Sequence, residues 1–284
     1  MKERDSHFLI QLSQERKSPD GHAYLSLSTP STHEAAARSK CTLREIEILA
    51  LENRIIPERY ERNMGTIEIE GQIALLQSQV AVIGLGGLGG TVLDMLLRWG
   101  IGSLVIIDHD AFLDSNLNRQ VLSGSSTLGL RKVDVAKKRA QEVNPATHID
   151  ALAIVADEHN LPEVLQGCCV AVDGLDNIRI RFVLERACKR LGIPLVHGAI
   201  AGFMGQVSTI FPDDPGLELL YGTEDVLESG AEQELGTPSV TPAAVAAWQA
   251  TEVVKILLGW ENTLRNKVLF FDLRDQLMTI VDLS

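Results

Sequence analysis

The chain has 284 residues, 45% hydrophobic and 23% charged, with 38 Asp and Glu against 26 Lys and Arg and a net charge of -12. This composition excludes a disordered or fibrous chain, and its acidity argues against a protein that works by neutralising a nucleic-acid backbone. The length suits one large domain, or a domain with an appendage, that folds without a disulfide or metal staple.

The chain opens MKERDSHFLIQLSQERK, with neither a long apolar stretch nor a cleavage-like small-residue site, and no later apolar run reaches the ~18 residues of a spanning helix. A cytoplasmic protein with no membrane partner is expected. Residues 1–58 form a helical N-terminal extension with no obvious strand, holding 8 Lys and Arg against 9 Asp and Glu. Two capping-box patterns, Ser31 with Glu34 and Thr42 with Glu45, start short helices there. The pair could be mistaken for a helix-turn-helix, but the segment is not basic and no compensating positive patch follows.

From Val80 onward strands alternate with amphipathic helices: VAVIG, TVLDMLLRWG, SLVIID, RKVDVAKKRAQEVN, HIDALAIV, VAVDG, NIRIRFVLERACKRLG and PLVHGAI. This βαβ alternation implies an α/β fold, a Rossmann-like, doubly wound and mostly parallel sheet covered on both faces. After GQVSTIF comes an acidic stretch, residues 212–237, with eight carboxylates and no basic residue, read as a loop or flap. The helical run AAVAAWQATEVVKILLG and two antiparallel strands, KVLFFDL and QLMTIVDL, close the chain. Cys41, Cys168, Cys169 and Cys188 form no CxxC pair and read as small buried hydrophobes.

Gly84, Gly86, Gly87 and Gly89 lie between a strand and a helix, where glycines let backbone N–H groups approach a phosphate. Asp108, nineteen residues after Gly89, ends the next strand and suits a ribose. A hydride-transferring dinucleotide enzyme shows the same pair of features. The segment IDHDAFLDSNLNRQ then adds Asp110, Asn116, Arg119 and Gln120, and Lys132 follows. Cations in the loops leaving neighbouring strands suit a triphosphate whose departing pyrophosphate must be neutralised. In AVDGLDN, Asp176 stands where a carboxylate holds Mg²⁺ beside phosphates, or caps the next helix, a role that Asn177 or Asp173 could also fill.

These pieces, together with Arg59-Tyr60-Glu61-Arg62, PLVHGAIAGFMGQV and WQATEVVKILLG, resemble the MoeB/ThiF/HesA adenylyltransferases, relatives of the ubiquitin-activating enzymes, over about residues 59–284. The resemblance implies an adenylation domain over that range, acting on ATP and the C-terminal glycine carboxylate of a small ubiquitin-like sulfur carrier of the MoaD or ThiS type ending in Gly-Gly. Pyrophosphate is the product released, in pterin-metal cofactor or thiamine synthesis. It also implies that Asp108 holds the ribose, that the glycine loop with Asn116, Arg119 and Lys132 holds the triphosphate, and that Asp176 holds magnesium. A homodimer is implied as well, with Arg62 reaching the partner's ATP site.

The chain departs from the family in lacking its two zinc-binding CxxC pairs, with LELLYG at residues 217–222 in place of the first, so no zinc is expected. No Cys follows Cys188 to form a thioester or persulfide. Three alternatives stand beside adenylation of a carrier: an NAD-dependent oxidoreductase, a tRNA-modifying dehydratase of the same fold, and a binding protein that has lost catalysis.

Overall fold

The computed structural model describes residues 2–17, 21–222 and 232–283. The N-terminal arm consists of α1 (Lys2–Leu12), β1 (Gln14–Lys17), β2 (Ala23–Leu27), α2 (Thr29–Ser39), α3 (Leu43–Glu52) and β3 (Ile55–Pro57). It therefore contains strands as well as helices, contrary to the sequence reading: β1, β2 and β3 form a three-stranded sheet in that order. Short strands of four, five and three residues, one of them QERK and exposed throughout, carry no alternating apolar signal.

Thr42 caps α3 through a capping box with Glu45, as its spacing predicts. The cap of α2 is Ser28 rather than Ser31: the Ser28 hydroxyl accepts from the Ser31 amide, and Pro30 occupies the first helical turn, where its missing N–H is harmless. Leu9, Leu27, Ala35, Ile46, Ala50 and Ile55 give the arm a small core of its own.

The arm is wired into the rest of the molecule through buried polar groups. Tyr60 donates its hydroxyl to Glu47 of α3 at 2.9 Å and accepts from Asn144 at 2.9 Å, and Arg59 pairs with Glu47 at 3.2 Å. Arg44 of α3 reaches the carbonyl of Gly102 at 2.8 Å.

The remainder runs α4 (Met64–Gln77), β4 (Gln79–Ile83), α5 (Gly87–Trp99), β5 (Ser103–Ile107), α6 (Lys132–Val143), β6 (His148–Leu152), α7 (Leu161–Val164), β7 (Val170–Asp173), α8 (Ile178–Leu191), β8 (Leu195–Ala201) and β9 (Met204–Ile210). It finishes with α9 (Glu218–Tyr221), α10 (Glu232–Leu235), α11 (Val240–Leu257), β10 (Lys267–Asp272) and β11 (Leu277–Asp282). The eight-stranded sheet has the order β11-β10-β9-β8-β7-β4-β5-β6. Strands β4 to β8 are parallel, and β9, β10 and β11 extend the sheet antiparallel.

Burial on both faces explains the unbroken apolar runs of the parallel strands. In β4, Val80 and Val82 face the layer of α5, α6 and α11, while Ala81 and Ile83 face the layer of α7 and α8. Strand order reverses between β4 and β7, so their carboxyl ends diverge into a crevice.

The acidic stretch is not all loop: α9 and α10 are single helical turns within it, and Glu224, Asp225 and Glu228 lie outside the described residues. Cys168 and Cys188 are buried as expected, but Cys41 is half-buried and Cys169 is exposed. Among the described residues no helix is long and apolar enough to cross a membrane.

Candidate active site

The crevice is a cleft of about 320 Å³ between the ends of β4, β5 and β7. Backbone bonds continue past the strands, from Gly84 N–H to Ile107 and from Gly174 N–H to Ile83, and keep the three departing loops side by side. Gly84 has φ +91°, and a Cβ there would stand 2.6 Å from the Gly174 carbonyl oxygen. A Cβ on Gly89 would meet the Gly84 carbonyl oxygen at 1.8 Å, so Gly89 sets helix-to-strand packing and does not line the cleft. Gly84, Gly86 and Gly87 do line it, and the N-terminus of α5 opens on it with no side-chain cap, an arrangement that suits an anion.

Asp108 accepts the Leu85 amide on Oδ2 at 2.7 Å and the Asp110 amide on Oδ1 at 2.8 Å, which leaves one lone pair per oxygen free for a ligand hydroxyl. Residues 110–112 pair with 129–132 through a bridge of Ala111 with Arg131 and a bond from Lys132 N–H to the Asp110 carbonyl. That pairing delivers Lys132, the first residue of α6, to the end of β5. Its ammonium is 2.9 Å from Asp110 and 3.6 Å from Asp108. Burial alone would raise the Asp110 carboxyl, but the hydrogen bond and charge of Lys132, helped by His109, hold it below its ordinary value.

Of the residues singled out in the sequence, Gly84, Gly86, Gly87, Asp108, Asp110, Arg119, Gln120, Lys132 and Asp176 line this cleft. Asn116, Asn177, Gly89 and Arg62 do not. Asn116 is buried and accepts the Leu113 amide, which shapes the turn that presents Arg119 and Gln120. Asn177 caps α8 by accepting the Ile180 amide, so Asp176 is relieved of that duty. Arg62 is exposed on the turn before α4.

Two details suit a ligand. Gln120 Oε1 is buried and has no hydrogen-bond partner among the described residues. Asp176 is exposed to the cleft, with no hydrogen bond or ion pair to its carboxylate among the described residues. Asp108, His109 and Asp110 also bring three ligating atoms within 4.8 Å of one another, but the Lys132 ammonium, bonded to Asp110 and 3.6 Å from Asp108, opposes a second cation there. Asp176 has no such competitor, and its hard oxygens fit Mg²⁺.

Sequence reasoning named Asp173 only as a possible helix cap and missed its partners Arg181 and His197 beneath the cleft. Arg181 lines it, donates to the Leu175 carbonyl at 2.7 Å and lies 3.4 Å from Asp173, which also meets His197 at 2.7 Å. The available signal was Arg181 and Glu185, charges one turn apart on the same buried face of α8 as Ile178, Phe182 and Cys188.

Residues 60–284 match the ThiF family. The SAMP-activating enzyme E1 of Haloferax volcanii is 37% identical over 223 residues, 77% of this chain and 82% of that protein. The sulfur carrier protein adenylyltransferase of Thermus thermophilus is 34% identical over 233 residues, 76% of this chain and 83% of its own length. Among solved structures, E. coli MccB with MccA-N7isoASN superposes with a TM-score of 0.71 at 22% identity, over 80% of this chain and 72% of that one. MccB in complex with N-formylated MccA superposes with a TM-score of 0.69 at 19% identity, over 97% of this chain and 96% of the other, a span that takes in the N-terminal arm. The chain belongs to the ThiF family.

Proposed function

We propose that this protein uses ATP to adenylate the C-terminal glycine carboxylate of a small ubiquitin-like sulfur carrier, releasing pyrophosphate. The observation that carries the reading is the gathering of Lys132, Arg119, Asp176 and the glycine loop around one cleft, because an anion attacking a polyphosphate needs cations on both. Relatives named as sulfur carrier and molybdopterin-synthase adenylyltransferases support the same reaction.

In this reading the two free lone pairs of Asp108 accept the ribose hydroxyls, and the N-terminus of α5 with Gly86 and Gly87 cradles the phosphates. A carboxylate oxygen of the carrier forms the new bond to the α-phosphorus as the bond from that phosphorus to the β-phosphate's bridging oxygen breaks. Pyrophosphate leaves with both electrons, and no proton need move. Lys132 and Arg119 offset the charge that grows on the leaving group. Mg²⁺ held by Asp176 would supply further charge neutralisation at the phosphates. No side-chain nucleophile enters, so catalysis is positioning and electrostatics.

The finer assignments belong to the same proposal: an adenylation domain from residue 59, a cytoplasmic homodimer in which Arg62 completes the partner's site, and a carrier of the MoaD or ThiS type. The test is ATP–pyrophosphate exchange with each ubiquitin-like carrier of the source organism. Exchange that depends on one carrier's terminal glycine is expected, and carrier-independent exchange, or none with any carrier, would overturn the reading.

A further inference from the structure

A second cavity, of about 190 Å³, opens beside the cleft and is mostly apolar, with walls that include Ile178, Met204, Tyr221 and Phe270. Arg181, Ala199 and Ile200 line both spaces, so the groove meets the cleft at a guanidinium. On the face of β8 and β9 turned toward Arg181, Ala199 and Ala201 carry only methyl groups beside the flexible Met204 and Gln206. Such a slot accepts a thin, extended chain end whose carboxylate is drawn toward Arg181.

Against this groove lies a set of polar side chains that phosphoryl chemistry does not use. His197 is fully buried, its Nδ1 2.7 Å from Asp173 and its Nε2 3.0 Å from the Tyr221 hydroxyl. That hydroxyl also accepts from Arg181 Nη1 at 3.0 Å and from Gln206 Nε2 at 2.8 Å. A single proton arrangement satisfies all of them: neutral His197 donates from Nδ1 to Asp173, and Tyr221 donates to Nε2 while accepting from Arg181 and Gln206. Burial holds His197 below its ordinary pKa, against the pull of Asp173, in agreement with a neutral ring.

Tyr221 ends α9, the helical turn within the acidic stretch. The other end of that turn is held by Leu217, which is fully buried and whose amide reaches Glu185 at 3.3 Å.

We propose that Tyr221 is a positioning residue: its hydroxyl, braced by His197 and Asp173, fixes the Arg181 guanidinium at the junction and holds α9 as a wall of the groove by which the acceptor carboxylate enters. This rests on the adenylation reading above. Tyr221→Phe keeps the ring in the wall and removes only the node that Arg181, Gln206 and His197 share.

The test uses the full chain and, as acceptor, a synthetic peptide ending in a free Gly-Gly carboxylate. Tyr221→Phe is expected to raise KM for the peptide about tenfold, the effect of losing one or two hydrogen bonds, with KM for ATP unchanged and Tm lowered by only a few degrees. His197→Ala is expected to move peptide KM the same way, and His197→Gln, which restores an acceptor facing Tyr221, to recover part of the loss. Amide hydrogen exchange over residues 217–222 is expected to quicken about tenfold in Tyr221→Phe, with β8 and β9 unaffected. Unchanged peptide KM in Tyr221→Phe would overturn the proposal, as would a fall in Tm that moves both KM values together. If the wild-type chain gives no exchange with the peptide, the adenylation reading fails for this acceptor. Amide exchange then decides the brace by itself: lost protection supports it and retained protection overturns it.

Discussion

The ammonium of Lys132 stands 2.9 Å from the carboxylate of Asp110 in a position where Lys132 is only 5% exposed. A cation so nearly withdrawn from water is pre-oriented rather than solvated, and it faces a cleft whose other wall is a helix N-terminus. Lys132→Met keeps the length of the side chain and removes the charge. Pyrophosphate exchange is expected to fall by about 10²–10³, the loss typical of one pre-organised charge partner in a transition state. The circular dichroism spectrum should stay near the wild type, while Tm falls because Asp110 and Asp108 lose their cation. An exchange rate within a factor of about three of the wild type would show that the charge does not act on the phosphates.

Asp176 gives a prediction that separates metal binding from folding. Because Asn177 already caps α8, Asp176→Asn removes a carboxylate without uncapping the helix. The variant is expected to retain its Tm, to need at least roughly tenfold more Mg²⁺ for half-maximal exchange, and to lose most of its maximal rate. A magnesium titration of both proteins measures this, and superimposed curves would remove Asp176 from the metal site.

The glycine loop, Asp108 and the parallel strands were legible because each follows a rule that is local in sequence: a short unbroken apolar run, a helix-opening glycine turn, a carboxylate at a strand end. Asn116 shows where that stops. Its motif marks it for the phosphates, but it does not line the cleft, and its Oδ1 accepts the Leu113 amide and shapes the turn. The brace at Tyr221 was illegible for a different reason. Asp173, His197, Gln206 and Tyr221 lie on four elements, and only their convergence makes one hydrogen-bonded set. From the sequence, LELLYG shows only the missing cysteines of the family, whereas in the fold Leu217 is buried in the core and Tyr221 carries the node.

The cross-subunit role proposed for Arg62 comes from the family resemblance and agrees with its place outside the cleft of its own chain. If it serves the partner's site, Arg62→Ala and Arg119→Ala damage different halves of one composite centre. Each variant is expected to be inactive alone. When the two are unfolded, mixed in equal amounts and refolded, activity should return to roughly a quarter of the wild type, since half of the dimers are mixed and each of those has one intact site. No recovery, with mixed dimers demonstrated by mass, would remove Arg62 from the partner's site.

Glu47 sets the pH dependence of the joint between the arm and the sheet. It is 1% exposed, and burial raises its carboxyl from an ordinary value of 4.5 to about 7, against the lowering influence of Arg59 and the Tyr60 hydrogen bond. A carboxyl whose pKa is higher in the folded than in the unfolded chain binds its proton more tightly when folded. Its contribution to stability is therefore fully present below pH 4.5 and is lost as pH rises through about 7. The shift corresponds to a contribution on the order of 3 kcal/mol. Glu47→Gln keeps an acceptor for Tyr60 and has no proton to lose, so denaturant midpoints of the wild type should fall relative to the variant between pH 5 and pH 8. Parallel midpoint curves for the two proteins across that window would mean that Glu47 stays ionised beside Arg59. The joint would then be an ordinary buried ion pair.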